Sequence, residues 1–514
     1  MIATNVRRLA IYLVIAFAIT SIALSWWQVV EAPALAARGD NPQVIAARRS
    51  ALRGSIFDAR GELLASSRVV DGISRRTYAD PAFTHVIGYA SLRFGTTGVE
   101  RAWDDILTGR ADPNPLNDLV NDILARQPQP RDLTLTIDRR LQDFAAAQLG
   151  SNVGAVVAID PSTGAILAMT STPTFDATPI SGDPAAAGDA MERISEGRDN
   201  PLVARSRQGR YTPGSIMKVL TAAAGLETGA ITPQTTYPDQ PRQEREGFVV
   251  EGFRVVEHDL GSIQPALWPL SEALQVSSNI FFAHVGLDIG AEAYLEMARR
   301  FGFCEPLWIG SQARGLPVAP SFVTAESEGD CTPFQDRAEL AQASFGQGRV
   351  SVTPVQMALL AATIANDGIM PQPYLVADVR AHAADPGGGL TDRILERYGD
   401  GGGDRVIESE TARAVRGAMV DAVHGQLGQL YAGGANIANF GVPGVRTAGK
   451  TGTAELGGGR DPHAWFIGFA DAAGGETPGI AVAVIVESAG SGSGRAAPIG
   501  GAVMAEWLRL EGGG

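Results

Sequence analysis

The sequence comprises 514 residues, of which 45% are hydrophobic and 19% charged, and its formal net charge is -14. This composition excludes global disorder, and the length indicates more than one domain. Because no dense stretch of lysine and arginine is present, nucleic acid is not an expected partner.

The first predicted element is an apolar segment at residues 9–30, which carries no charge and is long enough to cross a bilayer as one helix. Arg7 and Arg8 precede it, so the positive-inside rule predicts a cytoplasmic terminus at residues 1–8 and extracytoplasmic domains beyond the span. We therefore expect a single-pass protein of the cell membrane. A cleaved signal peptide is the alternative, because small residues follow the apolar segment.

Residues 31–150 begin with an Ala- and Pro-rich tether at residues 32–41 and continue with short apolar runs and turn signals. We expect a small accessory domain in this region, with one helix at residues 99–107.

The pattern changes at residues 151–514, where apolar runs at residues 153–160 and 165–170 flank a turn sequence and predict a β-hairpin. Mainly helical segments follow. Three further strands are then predicted, at residues 445–454, 464–470 and 480–487. The larger domain is therefore expected to be an α+β domain with helices inserted into a discontinuous sheet.

Cys304 and Cys331 are the only cysteines, and an exported chain can pair them in an oxidising compartment. The sequence leaves this pairing open. Neither a CxxC pair nor an HExxH helix is present, and the six histidines are scattered, so we predict no metal site and no cofactor.

Ser215 and Lys218 enclose the tetrapeptide Ser-Ile-Met-Lys, which is followed by an alanine-rich run that favours a helix. A separation of three residues brings both side chains to one helical face. A serine hydroxyl becomes nucleophilic when a neighbour accepts its proton, and lysine can do so once its pKa is lowered. The same tetrapeptide also occurs on solvated helices without any catalytic role.

The distribution of lysine supports the catalytic interpretation. Of the 42 cationic residues only two are lysines, Lys218 and Lys450. Arginine replaces lysine wherever only positive charge is needed, but it stays protonated near neutral pH. We infer that both lysines supply titratable amines.

The second lysine begins a Lys-Thr-Gly-Thr motif on a predicted strand, where small residues permit close approach of another chain. Between the two lysine motifs, Ser277 and Asn279 offer a hydroxyl and an amide that can relay a proton or orient a peptide carbonyl. A capped helix end is the alternative interpretation of this segment.

In this order and spacing, the three motifs resemble those of the penicillin-recognising serine acyltransferases. Residues 53–58, Arg-Gly-Ser-Ile-Phe-Asp, are similar to the entry motif of class B penicillin-binding proteins, and residues 154–169 to their first hairpin. Residues 346–354 and 464–469 are also similar to this family. The chain resembles its compact, monofunctional members, because the region before the larger domain is short and no repeat domains follow.

The resemblance implies a transpeptidase domain of α+β class at residues 151–514, with a five-stranded antiparallel sheet flanked by helices and an all-helical subdomain. A pedestal domain at residues 31–150 and an anchor at residues 9–30 would precede it. The implied activity is D,D-transpeptidation of peptidoglycan with covalent inhibition by penicillin. Implied partners are stem peptides ending in D-Ala-D-Ala, β-lactams, the membrane and a lipid-linked glycan polymerase.

The resemblance also implies roles for individual residues. Ser215 would attack the peptide carbonyl with Lys218 as base, and D-alanine would leave. Ser277 and Asn279 would pass protons toward the leaving nitrogen and position the amide. The backbone N–H groups of Ser215 and Thr453 would form the oxyanion hole. The residues implied to hold the terminal carboxylate are Lys450, Thr451, Gly452 and Thr453.

Several alternatives remain at this point. A D,D-carboxypeptidase would transfer the same acyl group to water, and a β-lactam sensor would bind penicillin without using stem peptide. A β-lactamase is disfavoured because no ExxxN element follows Asn279. Residues 444–451 also fit the P-loop pattern GxxxxGK[ST] of nucleotide-binding proteins, but a glycine-containing segment replaces the helix that a P-loop needs next.

Overall fold

The computed structural model describes residues 2–31, 52–70, 72–111, 129–383, 389–399, 401–432, 445–471 and 478–512. The chain divides into two compact units. The first comprises Met1–Leu52 and Ser67–Arg75, and the second comprises Arg53–Ser66 and Arg76–Gly514. The tether predicted at residues 32–41 lies outside the described residues.

The first unit contains the apolar helix that the sequence predicts near its beginning. Helix α1 (Ile2–Trp26) continues into a π-helical turn, Trp27–Glu31. Its segment Asn5–Trp26 has a mean hydropathy of 2.2 and none of it is buried. In length and composition this helix is sufficient for one membrane span.

The elements of the described residues follow in chain order. The strands are β1 (Ile56–Phe57), β2 (Leu63–Val70), β3 (Ile73–Tyr78), β4 (Ala90–Ser91), β5 (Gly95–Thr96), β6 (Arg131–Leu135), β7 (Gly154–Ile159), β8 (Ile166–Thr172), β9 (Phe248–Val250), β10 (Phe253–Val255), β11 (Leu307–Gly310), β12 (Gly315–Val318), β13 (Glu326–Ser327), β14 (Asp330–Cys331), β15 (Ile369–Pro371), β16 (Val376–Ala381), β17 (Ile394–Arg397), β18 (Gly403–Arg405), β19 (Thr447–Ala454), β20 (His463–Asp471) and β21 (Pro478–Val486). The helices after α1 are α2 (Thr84–Ile87), α3 (Gly98–Ala102), α4 (Asp104–Leu107), α5 (Arg139–Leu149), α6 (Thr178–Ser181), α7 (Ala187–Ser195), α8 (Arg205–Gln208), α9 (Lys218–Glu227), α10 (Gln240–Glu246), α11 (Leu270–Gln275), α12 (Asn279–Ile289), α13 (Ala291–Arg300), α14 (Arg337–Ser344), α15 (Pro354–Ala365), α16 (Ser409–His424), α17 (Gln426–Ala432) and α18 (Ala496–Gly512).

The early part of the second unit is held by a buried ion-pair network. Arg53, the first residue of the Arg-Gly-Ser-Ile-Phe-Asp segment, lies 2.8 Å from Glu100, and Arg76 lies 2.6 Å from the other Glu100 oxygen. Burial by itself raises the pKa of Glu100, but the charges of the two arginines outweigh it and lower this pKa. Two cations therefore compensate for one carboxylate in the interior.

The single helix predicted at residues 99–107 is present but divided in two. Residues 99–107 form two short helices, α3 and α4, interrupted at Trp103, where φ is -120° and ψ is 24°. The Trp103 indole is buried and packs edge-on against the Tyr398 ring, with the ring centroids 5.0 Å apart. Tertiary packing of this large side chain thus overrides local helix propensity.

The main sheet contains five antiparallel strands in the order β19-β20-β21-β7-β8. Each of its strands matches a strand predicted from the sequence. Side chains alternate between two cores, as the period of a strand requires. Val156 and Ala158 pack with α5 and α18, whereas Val157 and Ile159 join the core that includes α15. The predicted α+β fold class is confirmed, and β19 lies at one edge of the sheet.

Mainly helical segments join β8 to β19. Helix α9 is almost entirely buried and packs against α12, α13 and α16. Cys304 and Cys331 form a disulfide bond in this region, which decides the pairing that the sequence left open.

The P-loop alternative is contradicted by the backbone. Strand β19 is continuous from Thr447 to Ala454, so Lys450 and Thr451 lie within a strand. A P-loop lysine requires a helix that starts immediately after the glycines. The first residue of the pattern, Gly444, lies outside the described residues.

Candidate active site

Ser215 lies in a 3₁₀ turn, Gly214–Met217, that leads directly into α9, whose first residue is Lys218. Because a 3₁₀ turn has about three residues, side chains three positions apart lie on the same side of it, and the two side chains come together. The Lys218 Nζ atom lies 3.0 Å from the Ser215 Oγ atom, within hydrogen-bonding distance. Lys218 is fully buried, whereas Ser215 remains partly accessible.

Glycines allow β19 to approach the Ser215 turn closely. Gly214 has a φ of 59°, and a Cβ atom there would lie 2.6 Å from the Thr453 carbonyl oxygen. A Cβ atom on Gly452 would lie 2.8 Å from the Pro213 carbonyl oxygen. On the other side, Gly214 donates its N–H to the carbonyl of Gly346 at 2.9 Å. The serine turn is therefore fixed between the Lys-Thr-Gly-Thr strand and the segment at Gly346.

Ser277 and Asn279 reach the same amine from the junction of α11 and α12. Ser277 adopts a left-handed conformation with a φ of 57°, which turns the chain between the two helices. Its carbonyl oxygen and hydroxyl lie 2.5 and 3.2 Å from Lys218 Nζ. The Asn279 Oδ1 atom accepts a hydrogen bond from the same amine at 2.8 Å. Four oxygen atoms from three residues thus surround the Lys218 amine.

The electrostatic state of Lys218 follows from its burial. Removal from water lowers the pKa of Lys218 to about 7, although the charge of Glu257 acts in the opposite direction. A lysine with this pKa is neutral in a substantial fraction of molecules near neutral pH, and its lone pair can accept a proton from Ser215.

Lys450 approaches the same cluster from β19. Its Nζ atom lies 2.9 Å from the Ser277 hydroxyl and 3.0 Å from the Thr451 carbonyl oxygen. Burial, followed by the charge of Lys218, lowers the pKa of Lys450 well below its usual value. Thr451 and Thr453 are partly accessible on the same strand, and Gly452 is buried. The structure therefore brings together every residue that the sequence singled out for this site.

Two contributors were not predicted from the sequence. The Trp465 indole N–H donates to the carbonyl of Thr212 at 3.0 Å and ties the segment before Ser215 to β20. Glu257 accepts the backbone N–H of Asn279 at 2.8 Å. An isolated glutamate in a loop and an apolar strand residue carry no sequence signal for such contacts, because both contacts are made between segments far apart in the chain.

Two protein-family models match the chain. The penicillin binding protein transpeptidase domain matches residues 154–505, and the penicillin binding protein A dimerisation domain matches residues 53–133. The first match covers more than half of the chain and includes all three motifs.

Similar full-length proteins are known. The peptidoglycan D,D-transpeptidase PbpA of Mycolicibacterium smegmatis is 34% identical over 527 residues, which covers 98% of this chain and 99% of the relative. The peptidoglycan D,D-transpeptidase MrdA of Haemophilus influenzae is 28% identical, over 80% of this chain and 63% of the relative.

Solved structures lead to the same family. The ceftriaxone acyl-enzyme complex of penicillin-binding protein A from M. tuberculosis matches with a TM-score of 0.72 and 32% identity, over 89% of this chain and 98% of that chain. Penicillin-binding protein 2 of Pseudomonas aeruginosa matches with a TM-score of 0.70 and 26% identity, over 89% and 95% of the two chains. The chain therefore belongs to the penicillin-binding protein transpeptidases of class B and is a D,D-transpeptidase.

Proposed function

We propose that the chain cross-links peptidoglycan stem peptides ending in D-Ala-D-Ala through an acyl-enzyme on Ser215. The observation that carries this proposal is the 3.0 Å contact between Ser215 Oγ and the amine of Lys218, whose pKa burial lowers to about 7. In the neutral form, Lys218 accepts the hydroxyl proton while Ser215 forms a C–O bond to the carbonyl carbon of the penultimate D-alanine.

The tetrahedral intermediate needs donors for its oxyanion and a proton for its leaving group. We assign the oxyanion hole to the backbone N–H groups of Ser215 and Thr453, on the turn and strand that the glycines hold together. The proton on Lys218 passes to the leaving nitrogen, with the Ser277 hydroxyl as a relay, and Asn279 orients the substrate amide. The C–N bond then breaks and D-alanine departs.

The second half of the reaction reverses these proton transfers. An amine of a neighbouring stem peptide attacks the ester carbonyl, its proton moves to Lys218, and the Ser215 hydroxyl is regenerated. A β-lactam follows the first half by the same attack. Its opened ring stays attached to the acyl group, so the inhibitor remains on Ser215.

Strand β19 supplies the substrate-binding edge in this proposal. Because β19 is the terminal strand of the sheet order, a bound peptide can pair with its open edge. The buried amine of Lys450 and the hydroxyls of the partly accessible Thr451 and Thr453 provide donors for the terminal carboxylate, while Gly452 leaves room for the serine turn.

We further propose the domain arrangement that the sequence predicts. Residues 1–8 lie in the cytoplasm, residues 9–30 form the anchor, residues 31–150 form the pedestal, and residues 151–514 carry the transpeptidase outside the membrane. The apolar helix α1 and the two arginines before its apolar part support this orientation. A lipid-linked glycan polymerase is the expected membrane partner, and co-purification of the intact protein tests for it.

Mass spectrometry after penicillin treatment tests the acyl-enzyme. We expect a single adduct on the peptide that contains Ser215 and none in the Ser215→Ala variant. Incubation with a stem peptide and an acceptor amine then tests the reaction. A cross-linked product with released D-alanine supports transpeptidation. Hydrolysed stem peptide alone indicates a carboxypeptidase, and penicillin binding without D-alanine release indicates a sensor.

A further inference from the structure

Glu257 lies in the loop after β10, and its carboxylate is buried against the first turn of α12, with 3% of the side chain exposed. One oxygen accepts the backbone N–H of Asn279 at 2.8 Å. The other accepts the hydroxyl of Ser278 at 2.8 Å and lies 3.3 Å from the backbone nitrogen of Ile280. A single carboxylate thus satisfies donors that the start of a helix otherwise leaves without partners.

The residues on either side of Glu257 also contact the junction of α11 and α12. The carbonyl of Val256 accepts a hydrogen bond from the Asn279 Nδ2 atom at 3.0 Å. The His258 Nε2 atom lies 3.0 Å from the carbonyl oxygen of Val276. Because Val256 holds the amide nitrogen of Asn279, the amide oxygen is left facing Lys218.

The carboxylate also affects the charge around the general base. Burial by itself raises the pKa of Glu257, but the hydrogen bond and charge of His258 and the charge of Lys218 lower it, so Glu257 is an anion at neutral pH. This anion favours the protonated form of Lys218. Other titratable groups that interact with this pair are Lys450, His258, Glu244 and Tyr431.

We propose that Glu257 is a positioning residue for acylation, which holds Ser278 and Asn279 at the start of α12 so that the Asn279 amide oxygen contacts the Lys218 amine. The inference rests on the proposed function, in which Lys218 accepts the proton of Ser215. It extends the site to a loop that carries none of the three sequence motifs.

Two substitutions at Glu257 separate the effect of its charge from the effect of its side-chain length. The rate of acylation by a fluorescent penicillin is measured on the full chain in detergent, from mildly acidic to mildly alkaline pH. Glu257→Gln keeps the size of the side chain but removes its charge. We expect the acidic limb of the pH profile to move down by about one unit. We also expect the plateau rate to fall roughly tenfold, because an amide nitrogen cannot accept the Ser278 or Asn279 hydrogen bond.

Glu257→Asp keeps the charge and shortens the side chain. We expect its acidic limb to stay close to that of the natural protein while its plateau rate falls. This variant also keeps the inference testable should Glu257→Gln fail to fold. In that event, an unchanged plateau rate in Glu257→Asp overturns the positioning role.

Glu227 provides a matched control. Its carboxylate accepts the backbone N–H of Glu408 at 3.0 Å and the hydroxyl of Thr411 at 2.7 Å, at the start of α16. Glu227→Gln therefore removes a carboxylate that caps a helix in the same way but does not contact the Lys218 amine. We expect lower thermal stability with an unchanged pH profile and plateau rate for the folded protein.

The outcomes distinguish this inference from the function on which it rests. A folded Glu257→Gln protein with an unshifted acidic limb overturns the inference, whether its rate is natural or falls only with the folded fraction. Normal acylation of the Lys218→Arg variant overturns instead the assignment of Lys218 as base.

Discussion

The amine of Lys450 lies 2.9 Å from the hydroxyl of Ser277, and the same hydroxyl lies 3.2 Å from the amine of Lys218. Two buried amines thus share one oxygen atom. Burial and the mutual repulsion of the amines oppose two positive charges in this position. We infer that a bound carboxylate draws the proton to Lys450 and leaves Lys218 free to act as the base.

Replacement of Lys450 is expected to impair recognition of the carboxylate. In Lys450→Ala, acylation by a penicillin that carries its carboxylate should fall by roughly 100-fold, because a desolvated charge-assisted contact is lost. The methyl ester of the same penicillin carries no carboxylate and cannot form this contact, so its slow acylation should change little. Stopped-flow acylation with both compounds provides the comparison. Equal losses for acid and ester would show that Lys450 acts on the chemical step.

The pH dependence of acylation should report the protonation of Lys218. Burial lowers its pKa to about 7, and only the neutral amine accepts a proton. The acylation rate should therefore be low in acid and rise with a midpoint near that pKa, rather than near that of a free lysine. A profile measured with a neutral β-lactam avoids titration of the inhibitor. A midpoint above pH 9 would contradict this assignment.

Lys218→Arg should abolish acylation. A guanidinium stays protonated and cannot accept the proton of Ser215. We expect the rate to fall by at least about 1000-fold, the upper part of the contribution of a general base. Circular dichroism and thermal unfolding serve as controls for folding, since Lys218 is fully buried and arginine is larger.

Local sequence patterns predicted the sheet, and they singled out residues that the structure brings together around the Lys218 amine. The strands β7, β8 and β19 to β21 consist mainly of apolar or small residues, a local pattern that can be recognised without knowledge of distant contacts. The scarcity of lysine distinguished Lys218 and Lys450, because arginine cannot replace lysine where an amine must lose its proton near neutral pH.

Features that depend on tertiary contacts could not be predicted in this way. The break at Trp103 depends on the distant Tyr398, and the pairing of Cys304 with Cys331 depends on how the intervening chain folds back. The carboxylate of Glu257 contacts the backbone of Asn279 only because α12 begins next to it in the folded chain. In each case the deciding partner is remote in sequence.

Removal of the disulfide should lower stability without stopping the chemistry. Cys304 and Cys331 are 27 residues apart in sequence, and a cross-link over such a loop contributes about 3.5 kcal/mol. The Cys304→Ser/Cys331→Ser double variant should unfold at a lower temperature, while the acylation rate of its folded fraction stays unchanged. Reduction of the natural protein should reproduce the shift. Equal melting temperatures with and without reductant would contradict this expectation.

The contact between Gly346 and Gly214 leads to a prediction that joins stability and catalysis. Gly346 has a φ of 82°, and an added Cβ atom would lie 1.9 Å from the carbonyl oxygen of Gly214, which directly precedes Ser215. Gly346→Ala should therefore cost about 2–4 kcal/mol and displace the serine turn. We expect penicillin acylation to fall by about 100-fold even at temperatures where the variant is folded.

Gly417 in α16 offers the control for this substitution. Apart from the backbone of its own helix turn and its chain neighbours, no atom lies within 4 Å of a Cβ atom added there, and the position is exposed in the middle of the helix. Gly417→Ala should stabilise the protein by about 0.5–1 kcal/mol, because alanine favours the helix, and should leave acylation unchanged. Thermal unfolding and acylation rates of both variants give the test. If Gly346→Ala matched Gly417→Ala in rate, the Gly346 segment would not be needed to hold the serine turn.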